Sequence, residues 1–279
     1  MSAQTATTSE SRHSHDGGGP TGSTLARAMR SEWTKLFSVR STGWTLLALV
    51  AATIGFGILA CWGTNHGWPQ MSAVDRAKFD PVATSMSGLA FGQLAIAVLG
   101  VMVISAEYST GGIKVTFTTV PNRMRVLTAK VLVFTSVALV IGLATAFGAF
   151  YSGQVWFSKR GIGAALGQDD VLRAVIGGGL YIAASGLFGM AMGALLRHTA
   201  GAVTSAVAAL FVLPIVAHAL PGSWGDAVIR YFTSNAGQQI SYINQSGNYL
   251  TPWVGFGVYC LWWAIPLAFG AWLMQQRDA

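Results

Sequence analysis

Hydrophobic residues along the chain gather into six long stretches that contain no Asp, Glu, Lys or Arg. A helix needs roughly 20 such residues to cross the hydrocarbon core of a bilayer. The six predicted spans are residues 43–62, 85–106, 131–151, 174–196, 200–220 and 253–274. Because a chain in lipid must satisfy its backbone hydrogen bonds internally, we expect every span to be helical. The pattern therefore predicts an all-α, polytopic membrane protein with six transmembrane helices.

The composition supports this prediction. Only 10% of the residues are charged and 52% are hydrophobic, whereas about a quarter of a soluble domain is charged. The net charge of +7 would suit a nucleic-acid partner, but the positive residues concentrate between the spans, where membrane topology places them. We therefore expect this positively charged chain to contact the lipid bilayer, and we expect no nucleic-acid partner.

Two different segments precede the first span. Residues 1–22 are rich in Ser, Thr, Gly and His, which predicts a disordered tail. In residues 23–40 apolar side chains recur at helical spacing, and charged side chains fill other positions. This pattern predicts a basic amphipathic helix in the headgroup plane, called the interfacial helix below; the alternative is a solvated helix with a modest apolar face. Its candidate functional residues are Arg30, Trp33, Lys35 and Arg40.

The orientation of the spans is predicted from their flanking cations. With the N-terminus inside, the inner segments hold eleven of the 17 Lys and Arg residues and the outer segments hold six. An excess of cations marks the cytoplasmic side. We therefore expect both termini in the cytoplasm and a location in the cell membrane.

The residues within the spans argue against several kinds of chemistry. Ion-driven transporters usually place ionisable groups at depth, and these spans contain no Asp, Glu, Lys or Arg. No H-E-x-x-H or G-x-S-x-G motif is present. "GGGPTGST", which begins at Gly17, has the glycine spacing of a P-loop, but Ser23 replaces its lysine. We expect no enzymatic activity and no catalytic, cofactor-binding or metal-binding residue in this chain.

Small residues and prolines shape the later spans. Gly189 and Gly193 form a G-x-x-x-G step in the fourth span, which favours close helix packing. Pro214 and Pro266 are expected to kink the fifth and sixth spans.

A compact polar segment, residues 107–121, follows the second span. Glu107 closes the span, a pair of glycines permits a sharp turn, and three apolar residues then alternate as in a strand. The candidate site residues here are Glu107, Tyr108, Gly111, Gly112, Ile113, Val115, Phe117, Pro121, Arg123 and Arg125. Glu107 is expected to pair with a cation such as Arg123 or Arg125. The residues alone leave two interpretations open, a positive loop that only fixes topology and a folded element pressed against a partner.

Three stretches carry a resemblance to a known family. "SEWTKLFSVRST" (Ser31 to Thr42), "EYSTGGIKVTFTTVPNRMRVLTAK" (Glu107 to Lys130) and "ALLRHTAGA" (Ala194 to Ala202) resemble the permease subunits of ABC-2-type transporters, especially actinobacterial ones. The resemblance covers about residues 25–279. It implies that residues 107–121 form a short coupling helix against a separate cytosolic ATPase, which overrides the strand-like pattern. It also implies an interfacial helix before the first span, in agreement with residues 23–40.

The resemblance implies the remaining organisation. ATP would be bound by the partner subunit, and a second permease copy or a relative would complete the pathway. The segment 221–252 would form either re-entrant helices or an ordinary outer loop. The expected function is that of a permease in an ATP-driven exporter whose substrate the sequence does not identify. The rival hypotheses are a self-contained channel or carrier, and a membrane anchor without transport activity.

Overall fold

The computed structural model describes residues 25–109, 123–217, 219, 222–243 and 249–276. These residues form helices joined by short connections, and none of them lies in a strand. Six helices are long and apolar enough to cross a membrane, which confirms the predicted all-α, six-span fold. The tail 1–22 and residues 110–122 of the polar segment lie outside the described residues.

The helices extend beyond most of the predicted apolar stretches, because hydropathy marks the membrane-embedded part of a helix rather than its ends. The interfacial helix is Leu25–Ser38, and Val39 follows it in an extended conformation. The six spanning helices are Arg40–Gly67, Leu89–Ser109, Arg123–Phe157, Val171–Leu196, Thr199–Ala217 and Pro252–Gln276. In the described parts of the connections between spans, four short α-helices are present, at Ala73–Ala77, Pro81–Ser85, Gly222–Tyr231 and Thr233–Gln238.

The fourth span is the central helix of the bundle. In its most apolar window 83% of the residues are buried, and it packs mainly against the second, third and sixth spans. A Cβ atom at Gly189 would collide with the carbonyl oxygen of Ala97, and one at Gly193 would lie 2.9 Å from that of Val101. The two glycines of the G-x-x-x-G step therefore face the second span at backbone contact distance.

The fifth span contains a local irregularity ahead of Pro214. Residues Ala208–Val212 form a π-helical turn, in which the Leu213 N–H donates to the Ala208 oxygen. Ala209 thereby loses its usual donor, and Leu210 would ordinarily receive the N–H that Pro214 lacks. The sequence predicts a kink at this proline, and the structure shows a change in helix type there. Pro266, by contrast, lies inside one continuous helix.

Two hydroxyl groups from the following segment satisfy these carbonyls. Thr233 donates to Ala209 (2.7 Å) and Ser234 donates to Leu210 (2.8 Å). Both residues belong to the helix Thr233–Gln238, which packs against the sixth span. Within residues 221–252, this helix is therefore an integral part of the bundle rather than an open loop. Its re-entry into the membrane stays a prediction.

Candidate functional site

A partly buried cluster of four charged side chains lies where the second span ends and the third begins. Its members are Glu32 and Lys35 of the interfacial helix, Glu107 of the second span and Lys130 of the third. We call this group the ion cluster. It joins three helices that are distant in the sequence.

The geometry of the interfacial helix explains how Glu32 reaches the cluster. Ala28, Glu32 and Leu36 are its buried residues, and a spacing of four places them on one face. This face packs on the third span. Glu32 therefore occupies a core position between two apolar residues, and only 6% of its side chain is exposed.

Each lysine of the ion cluster bridges both carboxylates. Lys130 Nζ lies 2.5 Å from Glu32 Oε2 and 2.9 Å from Glu107 Oε1. Lys35 Nζ lies 2.7 Å from Glu32 Oε1 and 3.1 Å from Glu107 Oε1. Two positive and two negative charges thus alternate, so that the cluster itself carries no net charge.

Burial differs strongly among the four side chains. Those of Glu32 and Lys130 are more than nine-tenths buried, whereas the exposed fraction is 20% for Glu107 and 42% for Lys35. Burial alone would lower the pKa of Lys35, but its hydrogen bond to Glu32 and the charges of Glu107 and Glu32 outweigh that effect and raise it. Lys35 therefore stays protonated at physiological pH. A charge removed from water at such a site is costly unless its partner is present, so each member depends on the others.

The turn between the fourth and fifth spans reaches the same end of the bundle. The Arg197 guanidinium carbon lies 5.3 Å from the centre of the Tyr108 ring, a cation–π contact. Thr199 donates a hydrogen bond of 3.0 Å to Ser105 of the second span. Arg197 has a left-handed backbone (φ 55°) and ends the fourth helix. All three stretches that carry the family resemblance therefore contribute residues to one region.

Sequence reasoning found only part of this site. Glu107 and Lys35 were named as candidates, whereas Glu32 and Lys130 were not. The available signal for Glu32 was its position, as the single carboxylate in a helix of cations. Arg123 and Arg125 were named as examples of cations that could pair with Glu107, and the described residues add Lys35 and Lys130 as its partners.

The other candidate residues have different surroundings. Gly111, Gly112, Ile113, Val115, Phe117 and Pro121 lie outside the described residues, as does the side chain of Arg123. Arg125 belongs to the first turn of the third span. Arg30 and Arg40 are exposed, and the Trp33 ring contacts that of Phe37 at 4.8 Å while half of each residue remains exposed. The aromatic face of the interfacial helix thus points away from the bundle, as a helix anchored in a headgroup layer requires.

A cavity of about 240 Å³ adjoins the ion cluster. It lies between the interfacial helix and the first three spans, and its walls are mainly aliphatic and aromatic. Among the described residues, no three His, Cys, Asp or Glu side chains come together as metal ligands would. The chemical capacity of this region is therefore that of ion pairing and apolar contact.

No family model matches the chain, and a search of curated proteins finds no relative of it.

Proposed function

We propose that this chain is the membrane-spanning permease subunit of an ATP-driven transporter, an exporter, that works with a separate cytosolic ATPase. The observation that carries the proposal is the ion cluster. Glu107 opens residues 107–121, the segment that the family resemblance assigns to ATPase docking, and it pairs with Lys130, which follows that segment at the start of the third span.

The ion cluster would make that segment move together with the helices to which it is joined. Glu107 and Lys130 hold the end of the second span against the start of the third, and both also bind the interfacial helix through Lys35 and Glu32. Separating Glu32 from Lys130, whose side chains are both buried, would leave each without this counter-charge, at a cost of several kcal/mol. A displacement of the docking segment by an ATPase would therefore move three helices together instead of bending one loop.

The surroundings of the cluster support the same role. Tyr108, next to Glu107, contacts Arg197 at the turn that leads to the fifth span. The fifth span in turn receives hydrogen bonds from Thr233 and Ser234. A chain of direct contacts thus links the proposed docking end of the second span to the helices that precede the sixth span.

The test requires a cytosolic ATPase, sought among the genes that neighbour the gene for this chain and co-expressed with the permease. Phe117→Ala removes an apolar residue from the proposed docking segment. Burial of one such side chain contributes about 1.5 to 3 kcal/mol, so we expect roughly tenfold weaker co-purification of the ATPase, since 1.4 kcal/mol corresponds to a factor of ten. Membrane insertion of the variant should be unchanged.

Glu107→Gln tests the transmission step separately from docking. The substitution leaves two lysines with one carboxylate, which loosens the second span from its neighbours. ATPase binding should stay near wild type, whereas substrate flux per ATP hydrolysed should fall. Asp169→Asn removes one carboxylate charge at an exposed position between the third and fourth spans; it is the matched control and should alter neither quantity.

Specific outcomes distinguish the rival functions. Flux driven by an ion gradient without any ATPase would identify a self-contained channel or carrier. Stable ATPase binding in the absence of any flux would identify a membrane anchor. Wild-type binding and flux in both variants would refute the coupling role of residues 107–121.

A further inference from the structure

The cavity beside the ion cluster has two chemically different regions. Its floor is formed by buried apolar side chains from the second and third spans, Leu99, Val133 and Phe134. Its polar end consists of the four members of the ion cluster. A cavity with an apolar body and one charged end is complementary to an amphiphile. Most ligand sites likewise combine an apolar lining with a few convergent polar groups.

The mouth of the cavity lies on the flank of the bundle. Met102 and Ala106, one helical turn apart on the second span, are exposed lining residues. Val39 and Ser41, at the junction of the interfacial helix and the first span, are exposed lining residues as well. The opening therefore lies between spanning helices, beside an interfacial helix whose aromatic face points outward. In a membrane this position faces lipid at the level where headgroup and acyl chain meet.

The interfacial helix beside this opening carries an excess of positive charge. Residues 25–40 contain Arg27, Arg30, Lys35 and Arg40 against the single carboxylate of Glu32. Lys35 is the most exposed member of the ion cluster, and the two carboxylates take two of its three ammonium donors. Cations beside a spanning helix attract anionic lipids. The charge at the mouth thus favours an anionic headgroup over a zwitterionic one.

We propose that this cavity is a binding site for a membrane lipid with an anionic headgroup. One acyl chain enters between Val39 and Met102 and lies over Leu99 and Phe134, while the phosphate rests against Lys35 and Arg40. The inference needs only that the chain is embedded in a bilayer, so it is independent of the proposed ATPase coupling. A bound phosphate takes the ammonium donor of Lys35 that the two carboxylates leave free.

The first arm of the test fills the apolar part of the site. The full chain is purified in detergent and mixed with equal amounts of phosphatidylglycerol and phosphatidylcholine of identical acyl chains, and retained lipid is counted by native mass spectrometry. Wild type should retain one phosphatidylglycerol, with at least tenfold preference. Val103→Phe, at a half-buried lining position, should lose this lipid at least tenfold. Val140→Phe, on the exposed face of the third span, is the size-matched control and should retain it.

The second arm removes the charge. Arg40→Gln should reduce the preference for phosphatidylglycerol to near parity, and Lys35→Gln should do the same in material that is still folded by circular dichroism. Lys78→Gln, an exposed change between the first two spans, should keep the preference. Arg40 lies on the surface, so its variant gives a result even where Lys35→Gln does not fold.

Three results would overturn the proposal. Equal retention of both lipids by wild type means that lipid contacts this surface only as part of the general annulus. Undiminished phosphatidylglycerol on Val103→Phe places the lipid elsewhere. A change in oligomeric state of Val103→Phe with no change in lipid retention means that a second copy of the chain covers the cavity.

Discussion

Lys130 of the third span and Glu32 of the interfacial helix form an ion pair of 2.5 Å with both side chains more than nine-tenths buried. The two residues are 98 positions apart in the chain, and the pair fixes the interfacial helix to the bundle at one defined place. A buried charge pair adds less to net stability than its Coulomb energy suggests, because both groups lose hydration. Its importance lies in the penalty for losing one partner.

That penalty gives a first prediction. Lys130→Met should lower the free energy of unfolding by about 3 kcal/mol, since two carboxylates then share one lysine in a buried site. The double variant Glu32→Gln with Lys130→Met leaves Glu107 and Lys35 as a balanced pair, and should be destabilised by clearly less than the sum of the two single variants. Thermal unfolding in detergent, followed by tryptophan fluorescence, measures all three. Additive losses would mean that Glu32 and Lys130 do not interact.

A second prediction concerns the carbonyl group of Leu210, which would ordinarily accept the N–H that Pro214 lacks. Ser234→Ala removes the hydroxyl that donates to Leu210 and leaves a buried acceptor without this donor, so we expect a loss of about 1 to 3 kcal/mol. Pro214→Ala restores a backbone N–H four residues after Leu210. In that background Ser234→Ala should cost less, because the helix itself supplies the missing donor.

Thermal unfolding in detergent measures the effect of Ser234→Ala in the wild-type and Pro214→Ala backgrounds. Ser136→Ala is the matched control, since its hydroxyl is exposed and bonds only within its own helix turn. If Ser234→Ala lowers the free energy of unfolding equally in the wild-type and Pro214→Ala backgrounds, the hydrogen bond from Ser234 does not compensate for the N–H that the proline lacks.

A third prediction follows from the protonation of Lys35. Its folded-state pKa is raised above the ordinary value of 10.5. A cation with a raised pKa contributes stability that is fully present below its unfolded pKa and is lost as the pH rises through the folded pKa. The difference in melting temperature between wild type and Lys35→Gln should therefore stay constant from neutral pH to about pH 9, and should shrink only above the ordinary lysine range. A difference that disappears near neutral pH would contradict the ion cluster.

The orientation of the bundle gives a fourth prediction. Cys61 and Cys260 are the free cysteines of the described residues, and both are first replaced by alanine. Single cysteines are then introduced at Ser31, exposed on the interfacial helix, and at Ser158, exposed after the third span. In intact cells an impermeant thiol reagent should label position 158, and it should label position 31 only after the membrane is opened. The reverse pattern would place the ion cluster outside and exclude a role in ATPase docking.

The sequence was sufficient for the six spans, because long uncharged stretches have few alternatives to membrane insertion. It was not sufficient to predict the burial of Glu32, because a carboxylate on an amphipathic helix is normally expected on the solvated face. The apolar residues at helical spacing in that helix are Leu25, Met29, Trp33, Leu36 and Phe37. Of these Leu36 is buried against the bundle together with Ala28 and Glu32, whereas Leu25, Trp33 and Phe37 are exposed. Which side turns inward depends on a lysine 98 positions away, and local periodicity contains no information about such a partner.

The burial of the fourth span limits where a subunit boundary can lie. A helix that is enclosed by its own chain has almost no surface for a neighbour, whereas the apolar windows of the first, fifth and sixth spans are each less than a third buried. If a second copy docks on this chain, as the proposed function requires, the first, third, fifth and sixth spans offer it far more surface than the fourth span does. Under the proposed function, substitutions that alter what passes between two copies should fall on these less buried spans. Larger residues at the glycines of the fourth span that lie against neighbouring backbone should instead prevent folding before any effect on transport is seen.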